Sequence, residues 1–162
     1  MDSRFEEDFR TVRGYQLLNQ QDGRLTPALE DYLEMAYRLC QQYSYARVNK
    51  LSELLHVRPS SASKMISKLA SLGYLEYDRY EIILLTEQGQ KTGAYLLKRH
   101  DTVESFLKLI GCQNPLEETE LIEHSLSAST MLALRDLLEY FQSDNDAMSG
   151  FCDYMANTHR PE

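Results

Sequence analysis

From Pro27 onward, apolar residues recur at helical spacing. Thr26-Pro27 sets a capping hydroxyl before a proline suited to the first helical turn, and Ala28, Leu29, Tyr32, Leu33, Met35, Ala36, Tyr37 and Leu39 follow. The pattern predicts an amphipathic helix over about residues 27 to 43. Val48, Leu51, Leu54 and Leu55 mark a shorter helix within 47 to 55. It should stop at Val57-Arg58-Pro59, because the residue before a proline is biased away from helical geometry. Ala62, Met65, Ile66, Leu69 and Leu72 supply the stripe of a third helix, capped by Ser60 or Ser61 and closed by Gly73. Two short helices joined by a tight turn make a helix-turn-helix candidate.

The period then changes. Tyr74 to Tyr77 and Ile82 to Leu85 are aromatic and β-branched runs around the polar tip Asp78-Arg79-Tyr80-Glu81, which predicts a hairpin placed as a wing. Thr86 caps a long helix over about 87 to 110, striped by Leu96, Leu97, Val103, Phe106, Leu107 and Ile110 and closed by Gly111. Asn114-Pro115 breaks the chain. Two further helices, near 116 to 125 and 128 to 142, are expected to complete it, the second carrying Met131, Leu134, Leu137, Leu138 and Phe141. The predicted fold class is mainly α, a winged helix-turn-helix followed by an all-helical domain. Residues 1 to 25 are polar, without a clear period, and read as an extension.

Composition changes this picture in one respect. The net charge of −8 argues against nucleic acid, since affinity for DNA comes largely from Lys and Arg neutralising phosphates. Its distribution reverses that reading: the balance is −3 over residues 1 to 43, +4 over 44 to 100 and −9 over 101 to 162. A basic middle is suited to phosphate, and an acidic last third to cations or partners. Cys40, Cys112 and Cys152 are odd in number and lack metal-ligand spacing, so neither a disulfide framework nor a structural zinc site is indicated. No apolar run is long enough for a membrane span and the first residues do not resemble a signal peptide. A cytoplasmic protein is expected.

The third helix shows Ser60, Ser61, Ser63, Lys64, Ser67 and Lys68 on its polar face. Small hydroxyl side chains permit close approach to the major groove, and lysines at i and i+4 share one face within reach of phosphates or guanine edges. Arg58 in the turn and Arg79 at the wing tip are further candidates for contact with phosphate or the minor groove. The competing reading is an ordinary solvated face. The order of the elements, more than any single side chain, favours DNA.

A second constellation is acidic. Asp31 and Glu34 leave the first helix on one face, Glu120, Glu123 and His124 share a face of a later helix, and His100 lies on the long helix between them. Oxygen-rich donors with two imidazoles and no thiolate suit a borderline-hard divalent ion such as Mn(II), and four carboxylates among six groups have the capacity for two ions per protomer. By spacing alone, helix-terminal charges and a solvated acidic face remain open as alternatives. A carboxylate-bridged di-metal enzyme is a weaker one, because Asp31 and Glu34 have no histidine partner on their helix.

Thr26-Pro27-Ala28-Leu29-Glu30-Asp31-Tyr32-Leu33-Glu34, Val57-Arg58-Pro59-Ser60-Ser61, Gly73-Tyr74-Leu75, Leu85-Thr86, Arg99-His100 and Glu120-Leu121-Ile122-Glu123-His124 together resemble the diphtheria-toxin-repressor family. The resemblance spans about residues 26 to 142 and is closest to the branch of manganese transport regulators. It implies Asp31, Glu34, His100, Glu120, Glu123 and His124 as metal ligands, whereas the iron-responsive branch carries Met and Cys at the positions of Asp31 and Glu120. It further implies a homodimer on a palindromic operator and repression of manganese-uptake genes when Mn(II) is replete. A winged-helix regulator responding to iron or another ligand is the alternative, and no catalytic activity is expected. The implied division is an extension over 1 to 25, a DNA-binding domain over 26 to 98 and a dimerisation and metal-binding domain over 99 to 162. Ser125 stands where the family often has a second histidine, the stretch before Glu120 looks shortened near Asn114-Pro115, and no SH3-like domain is expected to follow.

Overall fold

Thr26 caps the first helix among the described residues. Its side chain accepts a hydrogen bond from the Leu29 amide at 3.3 Å, and Pro27 occupies the first turn, where its missing N–H costs nothing. The helix that follows, α1 (Pro27–Tyr43), buries Leu29, Tyr32, Leu33, Ala36 and Leu39. It ends at Ser44, whose left-handed backbone lets its amide reach back to the Cys40 carbonyl. The computed structural model describes residues 25–78, 80 and 82–158, so nearly all of the expected extension, and Arg79, lie outside the described residues.

A two-residue strand, β1 (Ala46–Arg47), leads into α2 (Val48–Leu54) and α3 (Pro59–Ser71). The expected cap at Ser60 or Ser61 is not formed. Arg58 is the N-cap, without a side-chain hydrogen bond, and Pro59 is the first helical residue. Proline's fixed φ organises this start, so the residue that ends the preceding helix also begins the next. Ala62, Ile66 and Leu69 are completely buried on the inner face of α3. Each large aliphatic among them stabilises the unit by about 1.5 to 3 kcal/mol.

The hairpin forms as predicted, with β2 (Leu75–Tyr77) antiparallel to β3 (Ile82–Leu85). The Asp78 side chain accepts hydrogen bonds from the Tyr80 and Ile82 amides at 2.8 and 3.0 Å, which fixes the start of the tip. Strand β1 adds a third member in the order β1-β3-β2, pairing Ala46 with Ile83. Two residues are too few to carry a period, which is why the pattern did not show it.

The 23-residue helix α4 (Glu87–Leu109) starts at a dense joint. Thr86 Oγ1 accepts from the Gly89 amide at 3.0 Å while lying 2.7 Å from the Gly73 carbonyl and 3.0 Å from that of Tyr74. One hydroxyl therefore ties the end of α3, the hairpin and the start of α4 together. The chain divides into two compact units within α4, between Ala94 and Tyr95.

In the second unit, Val103, Leu107 and Met131 form a small core, with Phe106, Cys112, Leu126 and Leu134 packed against it. They belong to α4, α6 (Ala128–Ser143) and the connections around α5 (Pro115–Ile122). Two expectations are corrected here. Helix α5 stops at Ile122 and Glu123–Ser125 form a single 3₁₀ turn, so Glu120, Glu123 and His124 do not all ride on one α-helical face. A further helix, α7 (Asn145–Thr158), follows α6, its first amides held by Asp144, whose side chain accepts from Asp146 and Ala147 at 3.0 and 2.9 Å. Met148, Phe151 and Met155 recur along it at helical spacing, and Phe151 meets Phe141 with ring centroids 5.1 Å apart.

Leu116, Leu121, Ile122 and Leu132 remain exposed in this unit. Among the described residues no helix is long and apolar enough to cross a membrane.

Gly89 tests the joint. Alanine is favoured over glycine in a helix interior by about 1 kcal/mol, but a Cβ here would fall inside the van der Waals shell of the Tyr74 carbonyl and against the Leu85 side chain. Overpacking of this kind costs about 1 to 3 kcal/mol or more. Gly89→Ala should therefore lower the denaturation midpoint, and an unchanged midpoint in urea would show that the joint is not tight.

Candidate metal centre and nucleic-acid interface

The outer face of α3 is built by subtraction. With Ala62, Ile66 and Leu69 turned inward, Ser60, Ser61, Lys64, Ser67 and Lys68 are left exposed, and so is Arg58 at the N-cap. Ser63 departs from the expected face: it is half-buried, its hydroxyl 3.4 Å from that of Tyr77 on β2. That contact fastens the hairpin to the helix. Neither sequence run marks it, because the partners are 14 residues apart. Lys64 and Lys68 lie one turn apart on a helix held on its other side by core packing, which leaves both ammonium groups turned toward solvent. Arg47 and Lys50, exposed at the start of α2, extend the positive surface of this unit; Arg47 stacks over the Tyr45 ring at 5.6 Å and Lys50 pairs with Glu53.

Of the six carboxylate and imidazole positions, two lie on α1. Asp31 is half-buried and Glu34 is 8% exposed. Glu34 Oε1 accepts two hydrogen bonds from Arg38, at 2.9 Å from Nε and 2.7 Å from Nη2. The i, i+4 spacing of Glu34 and Arg38 would have disclosed this pair in the sequence.

The other four converge within the second unit. Glu123 is 1% exposed, and its Oε1 lies 3.7 Å from His100 Nδ1 and 3.7 Å from His124 Nε2. His100 Nδ1 is also 3.5 Å from Glu120 Oε1, on a side chain that is otherwise more than half exposed. These separations exceed a hydrogen bond. Nitrogen and oxygen donors sharing one ion at about 2.0 to 2.2 Å stand roughly 3 to 4 Å apart, so the spacing fits a divalent cation. The donor set, carboxylate oxygen and imidazole nitrogen without thiolate, suits a borderline-hard one. Glu123 follows the buried Thr119 by four residues, so helical spacing along α5 already turns it inward, and the 3₁₀ turn begins only there.

Arg99 precedes His100 in one of the sequence motifs, and spacing gives it no role. In the structure it is 5% exposed, with Nε 3.4 Å from Glu123 Oε2 and Nη2 2.9 Å from His124 Nδ1. Burial alone would raise the Glu123 carboxyl. The interaction with His100 and the positive charge of Arg99 more than offset it, so the group sits below the ordinary glutamate value and carries its charge in the interior.

Comparison with known proteins places this geometry in context. Residues 24–82 match the iron-dependent repressor N-terminal DNA-binding domain, and residues 86–149 match the iron-dependent repressor metal-binding and dimerisation domain. The chain is similar to the HTH-type transcriptional regulator MntR of Geobacillus kaustophilus, with 40% identity over 139 residues covering 85% of this chain and 99% of that protein. Among solved structures it is similar to the manganese regulator SloR, at 28% identity and a TM-score of 0.63, with 72% of this chain and 55% of that one covered. The metal-dependent transcriptional regulator MtsR gives 29% identity and a TM-score of 0.64, with the same coverage. The chain thus spans just over half the length of these solved regulators.

The exposed lysines of α3 provide the test of this face. Replacing Lys64 or Lys68 by Ala should weaken binding to operator DNA and, for each phosphate left without its cation, flatten the slope of log affinity against log salt by about 1. Unaltered affinity and slope in both variants would assign DNA to another surface.

Proposed function

Because the chain belongs to the iron-dependent repressor family, we propose that it is a Mn(II)-responsive transcriptional regulator that binds a palindromic operator as a homodimer and represses manganese-uptake genes when the metal is replete. The observation that carries the metal half is the Glu123 carboxylate, out of water and flanked by two imidazoles at ligand spacing. The DNA half rests on a helix-turn-helix whose second helix leaves Ser60, Ser61, Lys64 and Lys68 exposed. Arg58 and Arg79 are assigned to the phosphate backbone or minor groove.

We assign Asp31, Glu34, His100, Glu120, Glu123 and His124 as the ligands of up to two ions per protomer. Asp31 and Glu120, where the iron-responsive branch carries Met and Cys, direct the choice toward manganese. Mn(II) supplies a double positive charge that an oxygen and nitrogen shell accepts. The chain's own contribution is to draw that shell from two sequence regions, 26 to 98 for DNA reading and 99 to 162 for dimerisation and metal binding. Ligation by both regions removes orientational freedom that operator would otherwise have to offset. The exposed Leu116, Leu121, Ile122 and Leu132 support a second copy of the chain as the dimerisation partner.

The coupling is the discriminating quantity. If the ion and the operator favour the same arrangement, each must tighten the other by one and the same factor, typically about 5- to 150-fold. Calorimetric titration of Mn(II) into free and operator-bound dimer should show that factor. Substituting Glu34, His100 or Glu123 by Ala should reduce it while the dimer persists. Equal Mn(II) affinity in the two titrations would refute metal sensing, and titration with Fe(II) in parallel distinguishes the manganese reading from an iron one.

A further inference from the structure

The arginine beside the metal centre has a geometry that the ligand assignment leaves unexplained. A guanidinium has five N–H donors and no acceptor. Its Nη2 lies 2.9 Å from His124 Nδ1, so Nδ1 must be the acceptor and the ring hydrogen must sit on Nε2, facing Glu123 Oε1 at 3.7 Å. Ligation through Nδ1 would need the lone pair that Arg99 now holds. Ligation through Nε2 would need the hydrogen moved to Nδ1, where it would confront the N–H of Arg99. Both routes break the same hydrogen bond.

Arg99 cannot withdraw as a surface arginine would. Arg38, whose side chain is 39% exposed, can leave Glu34 for water. Arg99 is 5% exposed and retains Glu123 Oε2 at 3.4 Å, while the other carboxylate oxygen faces the two imidazoles. Its position divides Glu123 into one oxygen held by arginine and one oxygen, Oε1, presented to His100 and His124.

We propose that Arg99 is a resident cation of this centre, a positioning residue that neutralises Glu123 and occupies His124 when no ion is bound, and that gives up His124 while keeping Glu123 when His124 becomes a ligand. The proposal rests on the reading of His124 as a ligand. It makes metal affinity at this centre the outcome of a competition between the ion and a side chain of the protein itself. A charge-assisted hydrogen bond of this kind is among the stronger ones, so its removal should be visible as tighter binding.

Two measurements on the full-length dimer test it. Nitrogen-15 correlation spectra of the histidine rings, recorded without metal, should show His124 with its hydrogen on Nε2 and Nδ1 in the acceptor state. A hydrogen on Nδ1 of His124 in the wild-type protein overturns the proposal, and this reading does not depend on any variant folding. Mn(II) titrations should then show R99Q binding at least one ion roughly ten-fold more tightly than wild type. R99K, which keeps a charge but loses the planar fork, should fall between and serves alone if R99Q does not fold. Equal or weaker affinity in a folded, dimeric variant overturns the competition. Absence of Mn(II) binding to the wild-type dimer would defeat the manganese reading and the competition with it, while a His124 hydrogen on Nε2 would still locate Arg99 as the partner of that ring.

Discussion

A carboxylate removed from water must keep a cation beside it or give up its charge, and Glu123 is held under that constraint. It keeps its charge because Arg99 and two histidines surround it. The local backbone serves the same end. Thr119 and Glu123, four residues apart along α5 and its C-cap, are both buried, while Glu120 is more than half exposed. A buried ion pair is weak evidence for stability, since replacing it by apolar residues is often neutral or stabilising.

The DNA-reading unit answers a different requirement, which is rigidity. A helix that reads a groove must present its side chains from a fixed platform. Here the platform is made by the buried stripe of α3, by the contact of Ser63 with Tyr77, and by Thr86, whose one hydroxyl joins α3, the hairpin and α4. Gly93 adds to the same end, since a Cβ there would stand 2.6 to 2.8 Å from the Tyr37 side chain, so α4 packs against α1 at a distance only glycine allows.

Most of this was legible in the sequence where periodicity was long enough to speak. The runs from Leu29 to Leu39 and from Ala62 to Leu69, and the hairpin around Asp78, appear where the pattern put them. Strand β1 was not legible because two residues have no period, whereas α7 carries Met148, Phe151 and Met155 at helical spacing that could have been read. At the start of α3, proline's preference for the first turn prevails over serine's preference for the cap, so the N-cap falls at Arg58, ahead of both serines. The carboxylates and imidazoles that meet in the second unit are those that the pattern singles out, although the α-helix carrying Glu120 ends at Ile122. Arg99 stayed silent because its partners lie 24 and 25 residues away, beyond any local rule.

The distribution of charge then limits how metal and DNA can be linked. The last third of the chain carries −9 and the middle +4, so cation binding to the acidic region reduces a field that opposes phosphate. At physiological salt that field fades over about 8 Å, which leaves direct electrostatic help to carboxylates close to the DNA. Coupling through order is not screened in this way. An ion that orders the chain costs it conformational freedom once, before the operator arrives. A linkage that persists at high salt is therefore one of order rather than of charge.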